Sequence, residues 1–218
     1  MLVKDYMTRH PMMGDPGMSI VEARHYMNEN HIRHLPIVGD GKRLIGLVSR
    51  QTLLVEPGRI SSLDIWEIAH HLSKMTVSDV MVRKEDVVTI DPDATIEEAA
   101  RVMVEKKVGC LPVLEDEVVV GIITETDIMA QLTAMMATRI PGVRVTIHMP
   151  EVRGELARLV AAISAQGWGI LACGGAPAPR EPGKWEAVIK IRGVPRGEIV
   201  AALSQIKGQE IVDVRETD

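Results

Sequence analysis

Aromatic residues are scarce in this sequence, which has no phenylalanine, three tryptophans and two tyrosines among 218 residues. Proteins that bind single-stranded nucleic acid without sequence preference stack bases on aromatic side chains. The formal net charge is −5, so no overall positive charge attracts nucleic acid. We therefore expect no nucleic-acid partner, and we expect aliphatic or methionine side chains to contact any bound base.

Cysteine is also scarce, since only Cys110 and Cys173 occur. Two thiols do not form the disulfide framework of a small secreted protein, and single buried thiols fit a reducing compartment. No signal-peptide pattern is present, and no apolar run approaches the ~20 residues that a membrane helix needs. We expect a soluble, cytoplasmic protein with no membrane partner.

What the sequence does contain is an internal repeat, the feature to be sought first. The matching pairs are VKDYM (3–7) with VSDVM (77–81), 18–38 with 94–114, and GLVSRQTL (46–53) with GIITETDI (121–128). The repeat predicts two similar domains, 1–57 and 77–138. Apolar residues at helical spacing, among them Trp66, predict an amphipathic connecting helix over 58–76.

Both copies predict the same order of elements. A Ser/Thr-x-x-Glu capping box begins a helix with apolar residues at helical spacing. A proline-containing strand, a polar turn and a glycine-containing strand then form a hairpin, and a second helix begins near Ser49 or Thr124. The capping boxes are Ser19 with Glu22 and Thr95 with Glu98, and the apolar positions are Ile20, Ala23, Met27, Ile96, Ala99 and Met103.

After Thr138 the repeat ends, and the Pro-Gly pair at 141–142 indicates a boundary. Residues 142–218 predict the order strand, helix, strand, strand, helix, strand, which is the ferredoxin-like βαββαβ plan. The Pro/Gly-rich segment 173–183 is interpreted as a surface loop between two strands. The predicted fold class is therefore α/β (α+β), a repeated module followed by a ferredoxin-like domain.

The two copies resemble a tandem pair of CBS domains, through the Leu-Pro strands, the glycine-led hairpin strands and the Thr-x-x-Asp element at Thr124 to Asp127. The segment 142–218 is similar to an ACT domain, and the combination resembles the CBS-ACT proteins of the acetoin-utilisation B type. The resemblance implies a pseudo-twofold module with two clefts for adenosine-containing ligands such as AMP, ADP, ATP, NAD or S-adenosylmethionine. It also implies homodimerisation and, for the ACT domain, amino-acid binding.

Two interpretations of Asp127 stay open. In the first, Thr124 caps a helix and Asp127 lies at its third position, where a carboxylate interacts favourably with the helix dipole. In the second, which the resemblance implies, Asp127 accepts the ribose hydroxyls while Thr124 and the helix N-terminus face a phosphate or sugar oxygen. The first copy has Thr52 at this position, so we predict that the two clefts are not equivalent.

Further contacts follow from the resemblance. The nucleotide-binding residues that it implies, besides Asp127 and Thr124, are Gly109, Cys110, Leu111, Pro112 and Thr89. The candidate phosphate contacts are Arg9, His10, Arg33, His34, Arg83 and Lys84, each of which could equally be a solvated surface charge. In the ACT-like segment Glu151, Arg153 and Gly154 are either a carboxylate-binding helix start or a tight turn.

No catalytic or metal constellation is found in the sequence. His31 and His34 are three residues apart but lack the further ligands of a zinc site, so we expect no metal. Cys110 lies in an apolar strand and is interpreted as a packing residue. The sequence therefore predicts a non-enzymatic regulatory sensor without a catalytic cofactor, acting on an unidentified protein. The alternatives are an interaction scaffold with vestigial clefts and a small enzyme of acetoin-related carbon metabolism.

Overall fold

The computed structural model describes residues 1–53 and 75–217. The chain divides into two compact parts, the N-terminal unit (Met1–Ile128) and the C-terminal unit (Met129–Asp218). Most of the predicted connecting helix, with Trp66, lies outside the described residues, as does the predicted second helix of the first copy beyond residue 53.

Within the described residues, the helices and strands follow the predicted order in both copies of the repeat. The N-terminal unit contains α1 (Val3–Tyr6), β1 (Thr8–Arg9), α2 (Ile20–Glu29), β2 (His34–Val38), β3 (Leu44–Ser49), β4 (Val82–Arg83), α3 (Ile96–Lys106), β5 (Cys110–Glu115), β6 (Val118–Thr124) and the first residues of α4 (Glu125–Met135). The C-terminal unit continues with β7 (Gly142–Pro150), α5 (Glu155–Ala165), β8 (Gly169–Pro177), β9 (Lys184–Arg192), α6 (Arg196–Leu203) and β10 (Glu210–Thr217).

The predicted helix starts of the two copies are confirmed. Ser19 Oγ accepts the backbone N–H of Glu22 at 3.1 Å, and Thr95 Oγ1 accepts that of Glu98 at the same distance. All the apolar positions predicted for α2 and α3 are buried. A polar cap and a buried face therefore place both helices at the residues that the sequence indicates.

The two copies exchange their first segments. The antiparallel hairpins β2–β3 and β5–β6 each gain a third strand from the beginning of the other copy: β1 pairs with β6, and β4 pairs with β3. The side chains follow the strands, since Val3 is buried in the core of the second copy and Val77 in the core of the first. We call residues 2–9 and 76–83 the exchanged segments.

A glycine in each hairpin allows the exchanged segment to pack closely against the hairpin strand. Gly121 faces Arg9 across the β1–β6 ladder, and a Cβ atom at Gly121 would overlap Met7 Sδ. The equivalent Gly46 faces Arg83, and its Cβ would lie 2.6 Å from Met81 Sδ. The repeated glycine of the two hairpin strands thus leaves room for a methionine of each exchanged segment, Met7 or Met81.

The C-terminal unit has the predicted βαββαβ order. Its four strands form an antiparallel sheet in the order β10-β7-β9-β8. Alternate residues of β7 and β9, among them Ile147 and Ile189, form one core with Leu159 of α5 and Ile199 of α6. Both helices therefore cover the same face of the sheet, because side chains on a strand alternate between faces.

Two expectations for this unit are wrong. The segment from Cys173 to Pro177 is part of β8 and not of a loop, because Gly174 and Gly175 pair with Val188 and Ala187 of β9. Cys173 is exposed rather than buried. Its strand lies at the edge of the sheet, so that position has only one neighbouring strand to cover it.

Candidate functional site

Both copies of the repeat contribute to a cleft of about 480 Å³ in the N-terminal unit, which we call the Asp127 cleft. The first copy supplies Thr8, His10, Pro11, Met12, Asn30, His31, Ile32, Arg33 and His34. The second copy supplies Ile122, Thr124, Thr126 and Asp127. The exchange of β1 explains this composition, since pairing with β6 brings the segment after β1 next to the strand that leads to Asp127.

Asp127 and Thr124 cap the start of α4. Asp127 Oδ2 accepts the backbone N–H of Thr124 at 2.8 Å and its hydroxyl at 2.7 Å, and the backbone N–H of Asp127 points back to Thr124 Oγ1 at 3.4 Å. In the part of the chain that the structure describes, Asp127 Oδ1 takes part in no hydrogen bond. The cap therefore uses one carboxylate oxygen and leaves the other without a hydrogen-bond partner among the described residues.

The first copy contributes basic side chains to the same cleft, among them Arg33 and His34. Arg33 donates from Nη2 to Thr126 Oγ1 at 2.8 Å, which places its guanidinium beside the first turn of α4. Burial, and next the neighbouring Arg33, lowers the pKa of His34 below its ordinary value of 6.5, while Glu125 opposes this shift. His34 is then uncharged at neutral pH, and among the lining residues that the structure describes Asp127 is the one carboxylate and Arg33 the one guanidinium.

The other predicted nucleotide contacts do not line this cleft. Cys110, Leu111 and Pro112 are buried along β5, and burial, followed by the charge of Glu125, raises the pKa of Cys110 to about 12. Gly109 lies close behind the wall, since a Cβ atom there would be 3.6 Å from His34 Cε1. Thr89 is half-buried at a separate position before α3.

Three of the predicted phosphate contacts also lie elsewhere. Arg9 donates to the carbonyl of Lys4 at 3.0 Å and lines a separate, shallow cavity of about 310 Å³. Lys84 forms an ion pair with Glu117, and Arg83 is exposed on β4. The structure thus brings His10, Arg33 and His34 together with Thr124 and Asp127, and leaves Arg9, Arg83 and Lys84 outside.

The first copy repeats the cap with a hydroxyl in place of the carboxylate. Thr52 Oγ1 accepts the backbone N–H of Ser49 at 2.9 Å and donates to the carbonyl oxygen of Ser49 at 3.0 Å. The backbone N–H of Thr52 donates to Ser49 Oγ at 3.2 Å. Thr52 therefore preserves the corner after β3 without supplying a free anionic oxygen, so this position cannot accept hydrogen bonds as a carboxylate does.

Sequence reasoning missed the apolar part of the Asp127 cleft. Pro11 is buried, and Met12, Ile32 and Ile122 add further apolar surface, while Asn30 donates from its amide to the carbonyl of Tyr26 at 2.8 Å. These residues adjoin positions that were predicted from the resemblance to CBS domains. The sequence signal that could have indicated them is the alignment of segment 3–7 with 77–81. This alignment shows that the residues after each segment occupy equivalent positions in the two copies.

The ACT-like loop forms a tight turn before α5. Gly154 has φ +94°, a conformation that favours glycine, and the backbone N–H of Glu151 donates to the carbonyl of Gly183 at 2.9 Å. Glu151, Arg153 and Gly154 are all exposed. The role of these residues in binding an amino acid stays a prediction.

Within residues 1–53 and 75–217, no group of three or more His, Cys, Asp or Glu side chains could hold a metal ion. No helix found there has the length and apolar character that crossing a membrane requires.

Comparison with known proteins identifies the family. Residues 3–57 and 77–134 match the CBS domain, and these ranges cover more than half of the chain. The chain therefore belongs to the CBS domain family, in which it forms a tandem pair.

Solved structures show the same pair. AcuB of Vibrio cholerae, a protein named for acetoin utilization, is 33% identical with a TM-score of 0.53, over 64% of this chain and 95% of that chain. CBSX2 of Arabidopsis thaliana, which was crystallised with AMP, is 24% identical with a TM-score of 0.50, over 60% of this chain and 95% of that chain, and this likeness shows the fold.

Curated relatives include longer proteins. An L-aspartate semialdehyde sulfurtransferase of Methanocaldococcus jannaschii is 31% identical over 130 residues, which are 58% of this chain and 22% of the relative. The chain spans about a fifth of the length of the first two curated relatives that it matches.

Proposed function

We propose that this chain is a non-catalytic, cytoplasmic regulatory protein that binds an adenosine-containing nucleotide in the Asp127 cleft. The observation that carries the proposal is the composition of the cleft, to which the second copy contributes the carboxylate of Asp127 and the first copy the guanidinium of Arg33. A volume of about 480 Å³ suits a small-molecule site of a few hundred Å³.

The free oxygen of Asp127 is suited to a ribose. A carboxylate oxygen accepts more than one hydrogen bond, so Oδ1 can receive the 2′- and 3′-hydroxyls while Oδ2 remains in the cap. The cap also fixes the direction of the carboxylate, because two hydrogen bonds from Thr124 hold it. The base would then contact Met12, Ile32 and Ile122 rather than an aromatic side chain.

The charges of the cleft favour a monophosphate. Among the lining residues that the structure describes, Arg33 is the single arginine or lysine, and burial, followed by Arg33, lowers the pKa of His34. Each additional phosphate adds negative charge without a second arginine or lysine among these residues to compensate for it. We therefore propose AMP ahead of ADP, ATP, NAD and S-adenosylmethionine. The fold is shared with CBSX2, which was crystallised with AMP.

Regulation would follow from the shared composition of the cleft. A ligand that contacts both copies stabilises the arrangement of the copies in which both contribute to the cleft. Its higher affinity for this arrangement than for others is the source of any response. The helix α4 carries Asp127 and also the first residues of the C-terminal unit. The response would reach that unit or an unidentified partner protein.

For the C-terminal unit we propose an ACT domain that pairs with a second copy or binds an amino acid. Its βαββαβ order and the turn at Gly154 support this assignment. The apolar side chains of Met129, Leu132 and Met135 support a homodimer, since they are spaced along one side of α4 and are each half or more exposed. Light scattering of the purified chain, with and without single amino acids, tests both points.

The experiment for the nucleotide site is a calorimetric titration with AMP, ADP, ATP, NAD, S-adenosylmethionine and adenosine. We expect AMP to bind most tightly, and Arg33→Gln to weaken AMP binding much more than adenosine binding. Arg101→Gln is the matched control, because Arg101 pairs with Glu105 on α3 and does not line the cleft. Binding by none of these compounds would favour the interaction scaffold, and chemical conversion of one of them would favour the enzyme.

A further inference from the structure

The C-terminal unit contains a cavity of its own, of about 360 Å³, at the end of α4. One side is apolar, formed by Leu132, Met136 and Val188. The other side includes Arg144 of β7 and Lys190 of β9, which the alternation of side chains places on the sheet face opposite the core helices. None of the residues in the Glu151–Gly154 loop lines this cavity.

Two cations face each other across the sheet in the wall of this cavity. Arg144 and Lys190 are direct partners in the β7–β9 register. Like charges opposite each other destabilise an antiparallel pair, and a buried ammonium is costly unless a partner compensates for its charge. Lys190 is 3% exposed, and its Nζ donates to the carbonyl of Ala137 at 2.8 Å.

The protein supplies only part of the compensating charge. Arg144 donates to Thr146 Oγ1 at 2.9 Å and forms an ion pair of 3.3 Å with Asp213, which leaves other guanidinium N–H groups available. Among the residues that the structure describes, Lys190 forms no salt bridge and no carboxylate lines the cavity. A negatively charged group between Arg144 and Lys190 would reduce their repulsion and pair with the buried ammonium.

The hydroxyl groups of the cavity are already committed. Thr133 donates to the carbonyl of Ala130 at 2.7 Å, Thr138 donates to that of Thr133 at 3.0 Å, and Thr217 donates to that of Gly142 at 2.9 Å. Their hydroxyl protons are therefore not free, and the donors that remain belong to the two cations. A ligand of this cavity should accept hydrogen bonds, and a cationic group on it would meet no carboxylate among the lining residues that the structure describes.

We propose that this cavity binds a small organic acid with an aliphatic chain and no ammonium group. Its carboxylate lies between the Lys190 ammonium and the Arg144 guanidinium, and its chain packs on Leu132, Met136 and Val188. The residues that line this cavity are not those of the Asp127 cleft, so its ligand is a second input besides the nucleotide.

The test is calorimetric titration of the full chain with hexanoate, hexanamide and hexylamine. Hexanoate is expected to bind, and the neutral amide and the amine, which have the same chain, are expected to bind about tenfold more weakly or not at all. Lys190→Met should weaken hexanoate binding about tenfold or more while it preserves the length of the side chain. Lys207→Met is the matched control, since Lys207 is exposed and outside the lining.

A second variant separates binding from folding. Val188→Phe fills the apolar side of the cavity without a change in charge, and it should abolish hexanoate binding while AMP binding in the N-terminal unit is unchanged. Circular dichroism verifies that each variant is folded. The proposal is overturned if hexanoate does not bind the wild-type chain, if hexanamide binds as tightly as hexanoate, or if folded Lys190→Met binds hexanoate with unchanged affinity.

Discussion

Replacement of Asp127 by alanine should have two separable effects, one on stability and one on AMP binding. The substitution removes both hydrogen bonds that Oδ2 accepts from Thr124. Loss of a helix cap costs about 0.5–2 kcal/mol, which for a chain of this size lowers the melting temperature by a few degrees. It also removes Oδ1, whose charge-assisted hydrogen bonds to a ribose we expect to contribute about 1.5–3 kcal/mol of binding.

These values can be compared in a thermal unfolding assay at a fixed AMP concentration. At 100 times the wild-type Kd, AMP stabilises the wild-type chain by about 2.7 kcal/mol. If Asp127→Ala weakens binding about 100-fold, AMP stabilises the variant by only about 0.4 kcal/mol at the same concentration. The shift caused by AMP should therefore nearly disappear, although the variant without ligand melts only a few degrees lower than the wild type.

Asp79 offers a matched control for this experiment. It accepts the backbone N–H of Thr76 at 2.8 Å and its hydroxyl at 3.0 Å, a cap of the same Thr-x-x-Asp type away from the cleft. Asp79→Ala should lower the melting temperature but leave the AMP shift unchanged. An AMP shift of wild-type size in Asp127→Ala would refute the ribose role and leave Asp127 as a helix cap only.

Three further predictions concern packing, pH and thiol chemistry. Gly121→Val should lower the free energy of unfolding in urea by about 1–3 kcal/mol because its side chain overlaps Met7, and Met7→Ala in the same chain should recover part of this loss. Because the pKa of His34 is lower in the folded chain than in the unfolded chain, the unfolded chain binds a proton more readily, and stability is lost as pH falls from 6.5 through the folded pKa. The His34→Gln variant should therefore lose less free energy of unfolding than the wild type between pH 7.5 and 5.5. An equal loss in the variant and the wild type would contradict this. Iodoacetamide at pH 8 should label exposed Cys173 well before buried Cys110, whose pKa is raised to about 12, and mass spectrometry that found equal labelling would contradict the described packing.

The fold was predictable where local chemistry determines it. The capping side chains of Ser19 and Thr95 predict the starts of their helices, and alternating apolar residues predict the strands of the hairpins. The exchange of strands was not predictable in the same way, because VKDYM and VSDVM repeat in sequence without indicating which sheet each one joins. The limits of β8 were missed for a related reason, since glycine is typical of loops but can also pair in an edge strand.

Part of the lining of the Asp127 cleft was predicted from the sequence. Thr124 and Asp127 were singled out because a repeated corner differs in one chemically important residue, and Arg33 and His34 because the resemblance to CBS domains implies phosphate contacts before this strand. Met12 and Ile122 were missed because apolar residues near a strand do not reveal from sequence whether they face a core or a cleft. The cations of the second cavity, Arg144 and Lys190, were missed because their proximity depends on the register of β7 and β9.

The exchanged segments also affect what happens when the chain is cut between the copies. A fragment with residues 1–57 would retain β1 but lose its partner β6, and it would lack the Val77 side chain that fills its own core. The complementary fragment would lack Val3 in the same way. Each fragment thus contains an exchanged segment that belongs to the sheet and core of the other fragment. The two fragments mixed together should therefore form a folded module, whereas each fragment alone should fold less readily.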